Sequence, residues 1–82
     1  KLKAYPNPAS SVLNISFQVP DMQLVKIRLI NSLGEEIFKE SYNNFSGTYG
    51  KQLNVSSLPS GIYYVQIFMD GKQVSKKVVL TK

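Results

Sequence analysis

Histidine, cysteine and tryptophan are absent from the 82 residues, and only five carboxylates are present. Without histidine or cysteine there is no thiol nucleophile, no imidazole base and no disulfide, and the usual zinc and copper ligands are missing. No covalent staple holds the core. The fold must rest on packing, in a chain of a size that buries only about 60–65% of its unfolded surface. The lack of cysteine leaves the redox compartment open, since an exported domain need not contain any. Long apolar runs are lacking too: Ile62-Tyr63-Tyr64-Val65 and Val78-Val79-Leu80 are far shorter than the ~20 residues of a membrane-spanning helix. The chain opens on Lys1 rather than methionine, so it is expected to be part of a longer protein, and the missing leader carries no information about export.

What is present is the composition of one globular domain over residues 1–82, 43% hydrophobic and 18% charged. Ten basic residues against five acidic ones give a net charge of +5. Lys72, Lys76, Lys77 and Lys82 crowd the last eleven residues, and Arg28 is the only arginine. A surface that reads nucleic acid favours arginine forks aimed at base edges. The lysines therefore read as a solvated strand edge, and no nucleic-acid partner is expected.

The apolar residues recur with a period of two. Leu13, Ile15, Phe17 and Val19 share one face of a strand over residues 12–19, which Pro20-Asp21 is expected to end in a turn. Val25, Ile27 and Leu29 repeat the pattern over 24–31, with Lys26 and Arg28 opposite. Ser32-Leu33-Gly34 then turns the chain into a shorter strand over 35–42, around Ile37 and Phe38, which makes a hairpin. Asn43-Asn44-Phe45-Ser46-Gly47 reads as a loop, and Leu53 and Val55 point inward after it. Beyond Ser56–Gly61, Tyr63, Val65 and Ile67 share a face. Asp70-Gly71 makes a tight turn, and Val74, Val78 and Leu80 return in register. Lys3–Tyr5 adds a short edge strand before Pro6 and Pro8, which hold their preceding residues out of the helical region. Some seven short strands, with turn signals about every ten residues, predict an all-β, immunoglobulin-like antiparallel sandwich with Greek-key connections.

Chemistry has little to work with. A carboxylate pair would need two acids converging on one cleft. Glu36 and Glu40 share parity on one strand, while Asp21 and Asp70 belong to turns. The lysines are interleaved with polar residues rather than desolvated. No Asp-rich loop approaches a calcium pattern, and Gly34, Gly61 and Gly71 read as turn glycines rather than a phosphate cradle. No enzymatic activity, cofactor or metal is expected. Phe17, Tyr63 and Phe38 have inward parity, whereas Tyr42, Phe45, Tyr49, Tyr64 and Phe68 read as surface rings. A glycan-binding sandwich would stack sugars on Tyr42, Tyr49 or Tyr64, although a thin domain leaves some rings uncovered in any case. A structural or adhesion module of a secreted enzyme is a further alternative.

Taken together, several segments resemble a known family. Tyr5-Pro6-Asn7-Pro8-Ala9-Ser10 opens the domain, and Leu33-Gly34 follows the strand Val25–Ile30. Leu58-Pro59-Ser60-Gly61-Ile62-Tyr63-Tyr64-Val65 precedes the ending Lys76-Lys77-Val78-Val79-Leu80-Thr81-Lys82. In their order and spacing, over about residues 4–82, these segments resemble the type A C-terminal sorting domain of the type IX (Por) secretion system of Bacteroidota. The resemblance implies a folded address label on a larger secreted cargo, which passes through the periplasm and ends at the cell surface or outside. It implies as partners an outer-membrane translocon, the covalently joined N-terminal cargo, and a sortase-like peptidase that removes the label near or upstream of Lys1. By the same resemblance, Pro6, Asn7, Pro8, Gly34, Gly61 and Tyr63 are recognition residues, together with Lys76, Lys77, Val78, Val79, Leu80 and Lys82. A terminal strand with open backbone groups would suit strand addition to a partner sheet, with Val78-Val79-Leu80 in apolar contact and Lys76, Lys77 and Lys82 steering the approach. The rival reading makes Val78 and Leu80 core residues and the lysines only solubilising. Open edges also allow a dimer through edge strands.

Overall fold

The structure, a computed structural model, describes residues 2–82. Its strands are β1 (Lys3–Tyr5), β2 (Val12–Asn31), β3 (Glu36–Asn54), β4 (Gly61–Met69) and β5 (Lys72–Leu80), with no helix among the described residues. All strand pairs are antiparallel. β3 follows one edge of β2, while β1 and then β4 occupy the other edge, and β5 lies outside β4.

Two strands are too long to run straight. At about 3.3 Å per residue, the 20 residues of β2 would reach roughly 66 Å, whereas the longest extent of the molecule is 38 Å. The β2–β3 ribbon therefore bends back on itself. The bend lies where the β2–β3 register slips, between Val19 and Gln23 and again between Gln23 and Val25. Pro20 sits there and has no N–H to give a ladder. On the β3 side, Gly47 supplies the positive φ of 99° that the bend requires.

This arrangement corrects the expected sandwich. The segments 12–19 and 24–31 are two halves of one strand, as are 35–42 and the stretch around Leu53. Pro20-Asp21 and Asn43–Gly47 bend the ribbon rather than break it. Five strands in one curled sheet, a half-barrel, replace the seven strands of an immunoglobulin-like Greek key. The turns behave as expected. Gly34 takes a φ of 85° in the β2–β3 turn, and Asp70 and Gly71, both with positive φ, link Met69 to Lys72.

Curling brings the inward faces of both halves of β2 into a single core. Leu13, Ile15, Phe17 and Val19 from the first half meet Val25, Ile27 and Leu29 from the second, and Val65, Ile67, Val78 and Leu80 complete the cluster. No polar or charged residue is buried in it. Val74 departs from its expected inward place, with 49% of its surface exposed near the β4–β5 turn.

Candidate functional site

The front motif and the end of the chain form one structure. Tyr5-Pro6 and Asn7-Pro8 are both cis peptides, and after them the chain runs along the outer edge of β5. The Asn7 side-chain amide substitutes for a peptide group: Nδ2 donates to the Lys77 carbonyl at 3.1 Å, and Oδ1 accepts from the Val79 N–H at 3.0 Å. Backbone bonds continue the seam. Ala9 N–H donates to the Val79 carbonyl, and Thr81 N–H to the Ala9 carbonyl, each at 2.9 Å, with Ala9 and Leu80 in a parallel bridge. An asparagine side chain carries the same donor and acceptor as a peptide unit, so it can occupy a strand edge without itself being strand.

The terminal recognition segment is thereby divided. Its edge backbone from Lys77 to Thr81 is occupied, so the expected open edge survives only in the first part of β5. Val78 and Leu80 are fully buried core residues. Val79 is half-buried, and Lys76 and Lys77 are exposed. Lys82 turns inward: Nζ donates to the Val55 carbonyl at 2.6 Å and to the Ser10 carbonyl, and its backbone N–H donates to Ser60 Oγ at 3.0 Å. These bonds tie the chain end, which stays exposed, to the β1–β2 and β3–β4 connections. Tyr63 is also structural, buried with its hydroxyl donating to the Pro59 carbonyl at 2.7 Å. Gly61 opens β4 opposite Leu80. Pro6 and Pro8 are exposed beside the seam, and Gly34 lies in the β2–β3 turn, its N–H donating to the Asn31 carbonyl at 3.0 Å. The structure thus joins Pro6–Pro8 to Lys77–Lys82 at the seam, with Gly61 and Tyr63 on the neighbouring strand β4 and Gly34 in the turn after Asn31, the ladder partner of Tyr63.

The far edge holds a second cluster that sequence reasoning missed. Glu40 accepts hydrogen bonds from the Tyr49 hydroxyl at 2.6 Å, the Tyr42 hydroxyl at 2.9 Å and Lys51 Nζ at 3.0 Å. Burial alone would raise the Glu40 pKa, but these three donors outweigh it and hold the carboxyl below its ordinary value. Burial, and then the bond to Glu40, push the Tyr49 hydroxyl up, and the same carboxylate raises Tyr42. Tyr49 is only 4% exposed, stacked on Phe17 with ring centroids 4.9 Å apart, and is thus a core ring rather than the surface ring its pattern suggests. The available signal was that Tyr49 shares parity with the inward Leu53 and Val55; in the β2–β3 ladder it stands opposite Phe17. Glu36 engages Arg28 at 3.4 Å, so the two glutamates serve separate partners. Among the described residues no three acids are grouped to hold a metal.

The outer surface of β3, β2, β4 and β5 carries a shallow groove of about 530 Å³, whose lining includes Lys26, Arg28, Ser41, Gln66, Phe68 and Gln73. Arg28 Nε donates to Gln66 Oε1 at 2.7 Å across its floor, and the Lys26 ammonium stands 6.0 Å from the Phe68 ring.

No curated protein matches the chain, whereas the family model for the secretion system C-terminal sorting domain matches residues 3–81. A match of that extent covers the clasp that Asn7 and Ala9 make on β5, the bent ribbon and the terminal strand together. It implies interaction with the secretion machinery, linkage to a cargo, and export to the cell surface or the extracellular space. The chain belongs to the family of C-terminal sorting domains of the type IX secretion system.

Proposed function

We propose that residues 1–82 form a single type A sorting label, joined to an N-terminal cargo, that is recognised after folding by the outer-membrane translocon. The cargo crosses the inner membrane by its own signal, and the folded label then selects it from the periplasm. A sortase-like peptidase removes the label, and the cargo is anchored at the surface or released. The label makes and breaks no bonds itself and needs no metal or cofactor. The observation that carries this reading is the family match over residues 3–81. The clasp adds a physical reason for a folded label: Asn7 and Lys77 are 70 residues apart, so the recognition segments meet only in the finished fold.

The test fuses residues 1–82 to the C-terminus of a periplasmic reporter in a host with the secretion system. Reporter at the surface is expected, and it should stay in the periplasm when Val78 is replaced by Asp. Periplasmic retention of the unaltered fusion, with the domain folded, rejects the proposal. The glycan-binding alternative is weakened by the burial of Tyr49, which leaves only Tyr42, 37% exposed and packed against Phe45, and the half-buried Tyr64 of its three rings. Pairing of two copies would use the outer edge of β3, which has no neighbouring strand among the described residues, and sedimentation across a concentration series reads it.

A further inference from the structure

The curled sheet has two outward faces of different chemistry. On the part formed by β1 and the adjoining halves of β2 and β3, the outward positions are mainly amides and hydroxyls: Asn14, Ser16, Gln18, Thr48 and Gln52. Several are bonded to one another or to backbone. Gln18 donates to Thr48 Oγ1 at 2.9 Å, Gln52 to Asn14 Oδ1 at 3.2 Å, and Asn14 to the Tyr5 carbonyl at 3.2 Å. Apart from Tyr5, which stands opposite Asn14 and is 50% exposed, such a face satisfies itself and offers a partner little apolar area.

The opposite face is built differently. Register places Ile30 beside Tyr64 and Tyr64 beside Lys77, with Ile62 beside Val79 in the neighbouring row. The apolar side chains are incompletely covered, and Ile62 is 42% exposed. Around them stand Lys26, Arg28, Lys39 and Lys77, with Glu36 as the one carboxylate whose ladder position falls on this face. Arg28 and Lys39 both lean toward Glu36, at 3.4 and 4.0 Å. Lys26 and Lys77 have no carboxylate within ion-pair distance among the described residues. An aromatic and aliphatic centre ringed by cations has the anatomy of a protein interface with its hydrophobic core and charged rim.

The geometry points to this face as the docking surface for a protein partner that presents acidic side chains around an apolar ridge. This inference rests on the sorting reading and names the side of the label that is read. Charge fixes the partner's sign, because the face carries four cations against Glu36, while Glu40, which also lines the groove, is already held by Lys51 and two tyrosine hydroxyls. Size bounds the contact. Four strands about 4.8 Å apart, over some eight residues, give on the order of 500 Å² in projection. A face of that extent is no larger than the patch of an ordinary protein complex, which suits a label that is read and then removed. The terminal segment contributes by parity: Lys77 and Val79 belong to this face, whereas Lys76, Val78 and Leu80 point to the other side.

The test uses the same reporter fusion. A Lys26→Glu, Lys77→Glu pair should lower surface reporter about tenfold with the thermal midpoint unchanged, while Lys26→Arg, Lys77→Arg retains export. A Gln18→Glu, Gln52→Glu pair on the other face should export like the unaltered chain. If the Lys→Glu pair exports normally, or both acidic pairs fail equally, this face is not the docking surface. Failure of the unaltered fusion instead brings down the sorting reading itself. Binding of the 82-residue chain to phosphatidylglycerol vesicles, abolished by the Lys→Glu pair, would assign the face to a membrane and overturn the protein partner.

Discussion

Val74 and Val78 are the same residue, four apart on one strand with the same parity, yet one is 49% exposed and the other is fully buried. The difference lies in what crosses the strand. The Asn7–Ala9 segment bonds to β5 only from Lys77 to Thr81, and Ala9 bridges to Leu80 within the core. Before Lys77 no strand among the described residues pairs with its outer edge. One half of β5 is thus part of the interior and the other is a bare margin. Strand pattern decides which side chains point inward, and a distant segment decides whether inward means buried.

The largest effect expected from this contrast is on stability. Val78→Ala removes two buried methyl-sized groups and leaves a cavity, costing about 2 kcal/mol. In a domain of this size that lowers the thermal midpoint by about 8–16 °C. Val74→Ala should stay within about 0.5 kcal/mol of the unaltered chain. Equal losses in thermal melts of the two variants would break the division of β5.

Asn7→Ala attacks the cause of the division. It removes one bond to the Lys77 carbonyl and one from the Val79 N–H. Both groups then reach water, so the cost is about 1 kcal/mol rather than the full penalty of a buried orphan. Amide exchange gives the sharper reading. The Val79 N–H should exchange faster in the variant, while Ser75, already on the bare margin, should not change. Unaltered protection at Val79 would mean that the Ala9 backbone holds the seam alone.

Much of this was legible in the sequence, but not the lengths of the strands. Alternation placed Leu13 through Val19, Val25 through Leu29 and Tyr63 through Ile67 on the inward side, because side-chain period is a local property. The Asp70-Gly71 turn was legible for the same reason. Pro20 and Gly47 are also local signals, but a missing donor or a positive φ accompanies a bend as readily as a break, and only the partner strand decides between them. The clasp lay beyond any local signal, since it joins residues 70 apart in sequence. The resemblance placed Asn7 and the terminal residues in one recognition set without showing that several of them bind each other. The Glu40 cluster was half visible: Tyr42 lies two residues on with the same parity, but Tyr49 and Lys51 arrive from beyond the bend.

That cluster extends the comparison to the edge of β3, which is held by side chains rather than by a bonded segment. Glu40→Gln should cost about 1 kcal/mol at neutral pH, because three donors lose a charged acceptor that is itself partly solvated. The pH dependence has a definite sign. The folded Glu40 pKa lies below its ordinary 4.5, so its contribution is complete above that pH and is lost as pH falls through the lower folded value. Denaturant midpoints taken from about pH 6 down to about pH 3 should therefore fall less steeply for Glu40→Gln than for the unaltered chain. Parallel slopes would show that the three donors do not favour the carboxylate.

The smallest change in stability should come from the two neighbouring lysines, and here the contrast becomes functional. Lys76 and Lys77 are both exposed and form no ion pair, so replacing either with Gln should leave the melt within about 0.5 kcal/mol. Their side chains leave the strand on opposite sides. Lys77 lies beside Tyr64 on the cationic face, and Lys76 beside Val65 on the side that faces the core. A rim charge is worth up to about 1 kcal/mol to an encounter, a factor of roughly five, and less at high salt. Lys77→Gln should thus reduce export of a fused reporter by up to about fivefold, while Lys76→Gln leaves it unchanged. If the terminal lysines act only as a pool of positive charge, the two variants must behave alike, and the role assigned to strand parity fails with them.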